Sequence, residues 1–367
     1  MRRFSLKLAA ALAVALGSVS VPGAAPAVVT QGTGPSFSTI GPLTFGPDGM
    51  LYAGDTGAAA IVAVDLGTAA SAGAAGSAEV AGIDQKIAEL LGTSAAEVTI
   101  TDLAVHPRTH QSYISVMRGM GATAKPALLK LDGAGALSLV AMDALKFSKV
   151  ALPNPPEAAP ASGRSNRSQS ITDLAFSNGR VFVAGLSNEE FASKLWSIGY
   201  PFTSADRGTS IEIFHGNHGA LETRSPVYSF VPYTVDGKPT LIAGYLCTPL
   251  VKIPVSALQA GSKVVGTTIA ELGAGNRPID MILYSKDGQD YLLMSNTSRG
   301  VMKIPTASFA TDAPITARVP TGTAGVKYDT IATMTGIEQL DKLDATRSIV
   351  IAKAADGTRR LQIVVLP

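Results

Sequence analysis

Apolar positions along the chain come in short runs divided by turn residues, and the same succession keeps returning. An apolar strand is followed by a turn, a second strand, another turn and a third strand. The openings are Ile40-Gly41-Pro42-Leu43-Thr44-Phe45, Ile100-Thr101-Asp102-Leu103-Ala104-Val105 and Ile171-Thr172-Asp173-Leu174-Ala175-Phe176. Pro278-Ile279-Asp280-Met281-Ile282-Leu283 repeats the pattern, and Pro226–Val231 and Tyr328–Ala332 follow it more loosely. Turn dipeptides sit between the runs: Asp48-Gly49, Asn178-Gly179, Asp236-Gly237, Asp287-Gly288 and Asp356-Gly357. Such pairs adopt the positive φ angles that tight hairpins need. Third strands recur as near copies, Pro249–Pro254 and Gly300–Pro305, with Ala60–Asp65 and Leu128–Asp132 in the same slot.

The spacing of the openings, roughly 50–70 residues, predicts an all-β, six-bladed β-propeller with small helical insertions. The blurred stretch 186–226 leaves room for a seventh blade. Phe37–Ile40 is placed as the last strand of the final blade, latching the ring. Ile83, Ile87, Leu90 and Leu91 stand at helical spacing before Gly92 and predict a helix over Ile83–Leu91. The Ala/Gly/Ser-rich Gly67–Gly82 reads as a flexible loop, and the Pro/Ala-rich Ala151–Gly163 as an extended connection. Asn188–Trp196 carries a helix-start pattern that competes with a third strand over Lys194–Ile198.

The N-terminus has a different pattern. Arg2, Arg3 and Lys7 precede the apolar run Leu8–Leu16, and Ala25-Pro26-Ala27 fits a cleavage site. The run is about half the ~20 residues of a membrane span, so residues 1–27 are read as a secretory signal peptide and 28–367 as one propeller domain. The expected location is exported, periplasmic or extracellular, with no stable membrane span. The whole chain has 30 Lys+Arg against 28 Asp+Glu. Removing the leader leaves 27 against 28, so the basicity belongs to targeting and nothing points to nucleic acid. A single cysteine excludes an internal disulfide framework.

The phrase Phe45-Gly46-Pro47-Asp48-Gly49-Met50-Leu51-Tyr52-Ala53-Gly54-Asp55 resembles blades of the gluconolactonase/SMP-30-like and NHL-like propeller groups. The resemblance covers about one blade and implies the architecture. The enzymes' early Glu-Gly-Pro strand start and pair of channel Asn residues have no counterpart here.

Asp102, Asp173 and Asp280 hold the same place in three openings, with Asp329 as a possible fourth. On channel-lining strands they would form a carboxylate ring. That ring would either hold a divalent cation such as Ca²⁺ or lock the blades through hydrogen bonds to turns and strands. Phe214-His215-Gly216-Asn217-His218-Gly219 puts two imidazoles on a Gly-rich turn with Glu222 and Arg224 following. His215 and His218 are metal or ligand candidates, or simple turn residues. His106 and His110 read as exposed turn residues. Arg277, before an opening strand, could face the channel mouth and bind an anionic group, or pair with Asp280. Arg167, Arg224 and Arg299 sit at similar entries. Cys247 is a buried small apolar residue, a reactive thiol or an intermolecular link. Trp196 with Tyr200-Pro201-Phe202 packs an insert or lines a pocket.

Nucleophile elbow, zincin, P-loop, haem-attachment and EF-hand motifs are absent from the sequence. Three functions remain. The first is a binding or scaffold protein for a small molecule, glycan or protein. The second is a divalent-metal-dependent propeller hydrolase or lactonase using the Asp set. The third is a subunit of an extracytoplasmic redox system.

Overall fold

The computed structural model describes residues 28–159, 164–247, 249–320 and 322–367. The segment read as an export signal lies outside them. The protein is all-β with a propeller-like arrangement. Among the described residues, antiparallel meanders begin at the strands Leu43–Phe45, Val98–Val105, Asp173–Ser177, Val227–Val235, Pro278–Lys286 and Ile337–Lys342, the third and fourth sharing one sheet. These strands touch one another in a closed cycle, so each meander runs outward from a common axis.

The hydrogen-bonded sheets number five, against the six or seven separate blades expected from the repeat. Four are separate blades. The third and fourth meanders are fused because Ser210–Ile213 pairs in parallel with Lys263–Gly266. The resulting ten-stranded sheet curls nearly into a barrel, its two end strands, Asp173–Ser177 and Val227–Val235, meeting at the axis. The stretch 186–226 holds no further blade. Ser193–Gly199 and Thr209–His215 are the third and fourth strands of the meander that begins at Asp173. The strand reading of Lys194–Ile198 therefore prevails over the helix.

The meanders do not follow one another around the ring in chain order. The Leu43–Phe45 strand lies between the Val98–Val105 and Asp173–Ser177 strands, and Val98–Val105 in turn touches Ile337–Lys342. The chain builds three strands of the first meander and crosses to the last, where Val80–Ala81 adds an outer strand to Arg359–Val365. It then makes the second meander and returns, so that Lys146–Ala151 pairs with Ala60–Asp65 and with Val29–Thr33. Val80–Ala81, and not Phe37–Ile40, is thus the latch. Ser38 and Thr39 instead donate their N–H groups to the Asp55 carboxylate at 3.0 and 3.1 Å, which fixes that segment beside the first meander.

Local chemistry accounts for the elements. Asn178-Gly179, Asp236-Gly237 and Asp287-Gly288 all have positive φ at both residues, the turn that matches strand twist. The helix forms over Ile83–Leu91 and ends at Gly92 with φ 64°. Ile83 and Ile87 enter the apolar layer between the second and last meanders. Similar layers lie between each pair of ring neighbours, for instance Tyr52, Ile61, Val181 and Trp196 between the first and third. Burial of these faces against adjacent sheets holds the ring together.

Two loop expectations change. Gly67–Gly82 is pinned: the Lys130 ammonium donates to the Ala69 and Ala72 carbonyls at 2.8 and 2.7 Å, and Gln111 Nε2 donates to those of Ala72 and Ala74. Tyr328–Ala332 does not open a blade. Asp329–Thr330 is the outer strand of the fifth meander, and the last one opens at Ile337.

Candidate functional site

The inner strands carry a repeated irregularity. A register shift falls between Ile100 and Asp102, Val227 and Ser229, Pro278 and Asp280, and Ile337 and Gln339. Each bulge re-aims the residue that follows it. The equivalent ring positions are therefore Asp102, Pro42, Asp173, Ser229, Asp280 and Gln339, in order around the axis. The three carboxylates occupy every second meander. In chain order they are unevenly placed; the crossing of the first two meanders makes them alternate.

Each carboxylate joins two strands. Asp102 accepts from its neighbour Leu103 N–H at 2.7 Å and from Leu43 N–H of the next meander at 2.6 Å. Asp173 accepts from Leu174 at 2.7 Å and Phe230 at 2.7 Å, and Asp280 from Met281 at 2.8 Å and Leu340 at 2.9 Å. Asp341, two residues beyond the ring position, accepts from Lys342 at 2.6 Å and Val105 at 2.6 Å. Asp341 lies outside the openings that the sequence pattern picks out, because the last inner strand begins at Ile337 and not at Tyr328; Asp329 lies exposed on an outer strand. These are the blade-locking bonds weighed against a cation ring. Every N–H they satisfy would otherwise be an unpaired backbone donor.

Partial burial at the axis raises the affinity of all four half-buried carboxylates for protons. Asp173 is pushed up to about 7 and Asp341 to about 6. Asp102 and Asp280 also lie well above the ordinary value, through burial and then, for each, the negative charge of its neighbours in the ring.

The ring separates two cavities. One mouth is about 670 Å³, walled by residues such as Leu43, Phe45, Leu174, Phe230, Val231 and Ile282, with the four carboxylates reaching it and His110 and Lys342 at its edge. On the other side is a smaller cavity of about 240 Å³ reached by Asp102, Asp173 and Asp280, with Arg277 and Tyr228 on its wall. Arg277 lines this smaller cavity. Its guanidinium lies 5.1 Å from the Tyr228 ring, and no ion pair to Asp280 occurs among the described residues.

The other candidates lie elsewhere. His215 and His218 are at the outer edge of the ten-stranded sheet. Their Nδ1 atoms lie 3.0 and 2.5 Å from Glu222 Oε1. Among the described residues, theirs is the one group of three whose ligand atoms fall within 4.8 Å of one another; the ring carboxylates are not such a group. Cys247 is half-buried on a turn with φ 61°, its N–H bonded to the Asn276 carbonyl, so it is not the buried core residue expected. His106 is on a turn but buried: Nδ1 accepts the Arg108 and Thr109 N–H groups, and the ring packs edge-on against Phe45. Trp196 is core, and Tyr200 and Phe202 pack on Tyr52. Arg167 donates to the Gly57 and Pro156 carbonyls, and Arg299 to that of Ala274.

The fold thus defines a propeller-type protein with an axial carboxylate ring. No protein-family model matches the chain, and no curated protein matches it. Solved structures to which it is similar at low identity include three propeller-type chains. One is a GH43 glycoside hydrolase engineered for endo-xylanase and exo-arabinofuranosidase activity, at 11% identity, 79% of this chain and TM-score 0.35. The chain spans about half (52%) of that hydrolase's length. The second is the PQQ-bound aldose sugar dehydrogenase of Streptomyces coelicolor, at 12% identity, 93% of this chain, 100% of that one and TM-score 0.31. The third is extracellular domains 1–2 of Drosophila semaphorin 1b, at 11% identity, 95% and 88% coverage and TM-score 0.38. No helix among the described residues is long and apolar enough to cross a membrane.

Proposed function

We propose that this is an exported, six-bladed propeller that binds a small ligand in the larger mouth of its channel, and that the ligand presents an amine to the ring. In this count the third and fourth meanders are separate blades, and their parallel pairing is an edge contact. The observation that carries the reading is the about 670 Å³ cavity, with apolar walls and a floor of four carboxylates. A volume in the range of ~300–1,000 Å³ with few convergent polar groups suits a small molecule. Each carboxylate is held by two backbone N–H groups and keeps lone pairs free for a donor. An ammonium group would favour their ionised form, and the walls would take an alkyl or ring body.

Calorimetric titration with alkylammonium compounds and with neutral alcohols and sugars of matched size tests this at about pH 5 and pH 8. Asp173 and Asp341 titrate at about 7 and about 6. The expected result is amine binding that tightens toward pH 8 and is lost in Asp173→Asn, whose fold is checked by its melting curve. Binding of sugars alone, or of a protein at the rim, unaffected by Asp173→Asn, would move the function to the glycan or protein reading.

The second reading is a metal-dependent hydrolase or lactonase in which Asp102, Asp173 and Asp280 hold a divalent cation that polarises a carbonyl oxygen. The repulsion that Asp102 and Asp173 exert on Asp280 favours it, because a cation among them would relieve it. Stoichiometric Ca²⁺ in purified protein, lost in Asp173→Asn, would select this reading.

A further inference from the structure

We propose that His215, His218 and Glu222 form a binding site for a first-row divalent transition metal ion, with Zn²⁺ the preferred occupant. The site is independent of the channel. It lies where the Thr209–His215 strand turns into Ala220–Glu222.

The hairpin makes the constellation. Ile213 pairs with Glu222 and His215 with Ala220. Side chains two residues apart on a strand share a face, so His215 and Glu222 are diagonal neighbours on one face. The turn brings in His218: Gly219 N–H bonds the His215 carbonyl at 2.8 Å, and Gly219 itself adopts φ 69°. The imidazole centroids are 4.0 Å apart. Both Nδ1 atoms face the same carboxylate oxygen at 3.0 and 2.5 Å. Zinc bonds of about 2.0–2.2 Å at tetrahedral angles set ligand atoms roughly 3.3 Å apart. Small side-chain rotations therefore convert the cluster into a coordination sphere.

His215 supplies the independent sign. It is 2% exposed, its Nδ1 lies against the Glu222 carboxylate at 3.0 Å, and its Nε2 has no hydrogen-bond partner. A buried ring held by a single contact is under-satisfied. A metal ion between Nδ1 and the carboxylate would take the ring's lone pair and fix Nε2 as the N–H. His218 is 52% exposed, which gives the ion a route from solvent and leaves a coordination position open toward water.

The turn is held before any ion arrives. Glu271 Oε1 accepts Gly216 N–H at 2.6 Å, Val319 N–H bonds the Gly216 carbonyl at 2.7 Å, and Thr268 Oγ1 bonds that of Phe214 at 2.7 Å. Two nitrogen donors and one carboxylate select zinc, cobalt, nickel or iron(II) over Ca²⁺ and Mg²⁺. Such preorganisation raises affinity by lowering the ordering cost of binding.

Titration of the chelator-treated full-length protein with Co²⁺ near pH 7.5, read by visible absorption and then by displacement with Zn²⁺, tests the proposal. The expected result is one ion per chain. Removal of outer-sphere partners alone costs ~10–100-fold in metal affinity, so loss of a ligand in His218→Ala should cost at least about 100-fold. Glu222→Gln, which keeps the side-chain shape, should weaken binding at least about tenfold, and His110→Ala should leave it unchanged. Without metal, His218→Ala should melt as the parent does. Absence of a Co²⁺ spectrum in the parent protein, or unchanged affinity in both His218→Ala and Glu222→Gln, would overturn the site. A plain Glu–His ion pair would give the first result, and a metal bound elsewhere on the protein the second.

Discussion

The carboxylate ring makes a specific demand on the pH dependence of stability, and Asp173→Asn isolates it. Asp173 has its proton affinity raised from the ordinary 3.8 to about 7 in the folded protein, chiefly by burial and against the lowering effect of its two N–H donors. The folded state therefore binds more protons than the unfolded chain between these values. Stability from this group is complete below about pH 4 and is lost as pH rises to about 7. The interval is worth at most ~4 kcal/mol at 1.36 kcal/mol per decade, and less where channel water reaches the group. A chain of this size unfolds with an entropy of ~0.7 kcal/mol/K, so the melting temperature should fall by up to ~6 °C from this residue alone. Other groups titrate in the window. Glu271, pushed up to about 7 mainly by burial, acts in the same direction. His106, whose proton affinity is lowered by burial, acts in the opposite one. Both cancel in the comparison of parent with Asp173→Asn, as does Asp341, pushed up to about 6. The charge of Asp173 also raises Asp102 and Asp280, so their loss of stability with pH shrinks in the variant and adds to the difference in the same direction. Melting curves of the two proteins between pH 4.5 and 7.5 should differ in slope, with the parent losing more stability as pH rises. Parallel curves would refute the assignment of a buried, proton-binding carboxylate to this position.

Asp280→Ala strands the N–H groups of Met281 and Leu340, and at ~1–3 kcal/mol for each unpaired buried donor should cost about 2–6 kcal/mol in urea unfolding. Asp280→Asn, which keeps one acceptor, should lose about half of that, and equal losses in the two variants would contradict the bridging role. Gly185→Ala places a Cβ 2.1 Å from the Ser170 carbonyl oxygen, a contact that requires backbone displacement. It should destabilise by at least ~1–3 kcal/mol, and an unchanged melting temperature would show that the two segments do not approach so closely.

What could be read from the sequence follows from what each element depends on. The helix over Ile83–Leu91 was legible because its period and its terminating glycine are local. Five of the six inner strands, with Asp102, Asp173 and Asp280, were legible because one short phrase encodes carboxylate and strand together. Asp341 was hidden because in the last opening Gln339 holds the ring position and the carboxylate comes two residues later. The outer strands gave no signal of which sheet they join. Lys146–Ala151 is a short apolar strand like many others, and only the room beside Ala60–Asp65 assigns it to the first meander. Val80–Ala81 is too short to show any period. His106 was misplaced because a turn was equated with exposure, whereas its ring folds back against Phe45 and Tyr113. Glu222 appeared as a residue following two histidines; the pairing of Ile213 with Glu222 turns it into their neighbour.

The ring's uneven hydrogen bonding bears on what the channel can do. Four seams between inner strands carry a carboxylate bridge, and two do not, where Pro42 and Ser229 stand in its place. Those two seams are joined by other means. Between the first and third meanders, Ser170 Oγ donates to the Thr56 carbonyl at 2.9 Å and Tyr52 stacks on Phe176 at 5.2 Å. Between the fourth and fifth, Tyr233 reaches Asp290 and Thr306, and Gly244 packs against Pro278 and Met281. Blade cohesion therefore has alternatives that place no carboxylate at the axis. Asp102, Asp173 and Asp280 nonetheless stand there on alternate meanders, each oxygen already oriented by a backbone donor. A ligand that enters the larger mouth meets acceptors that need not reorganise, and a cationic group there would gain the attraction that the four carboxylates otherwise spend in repelling one another.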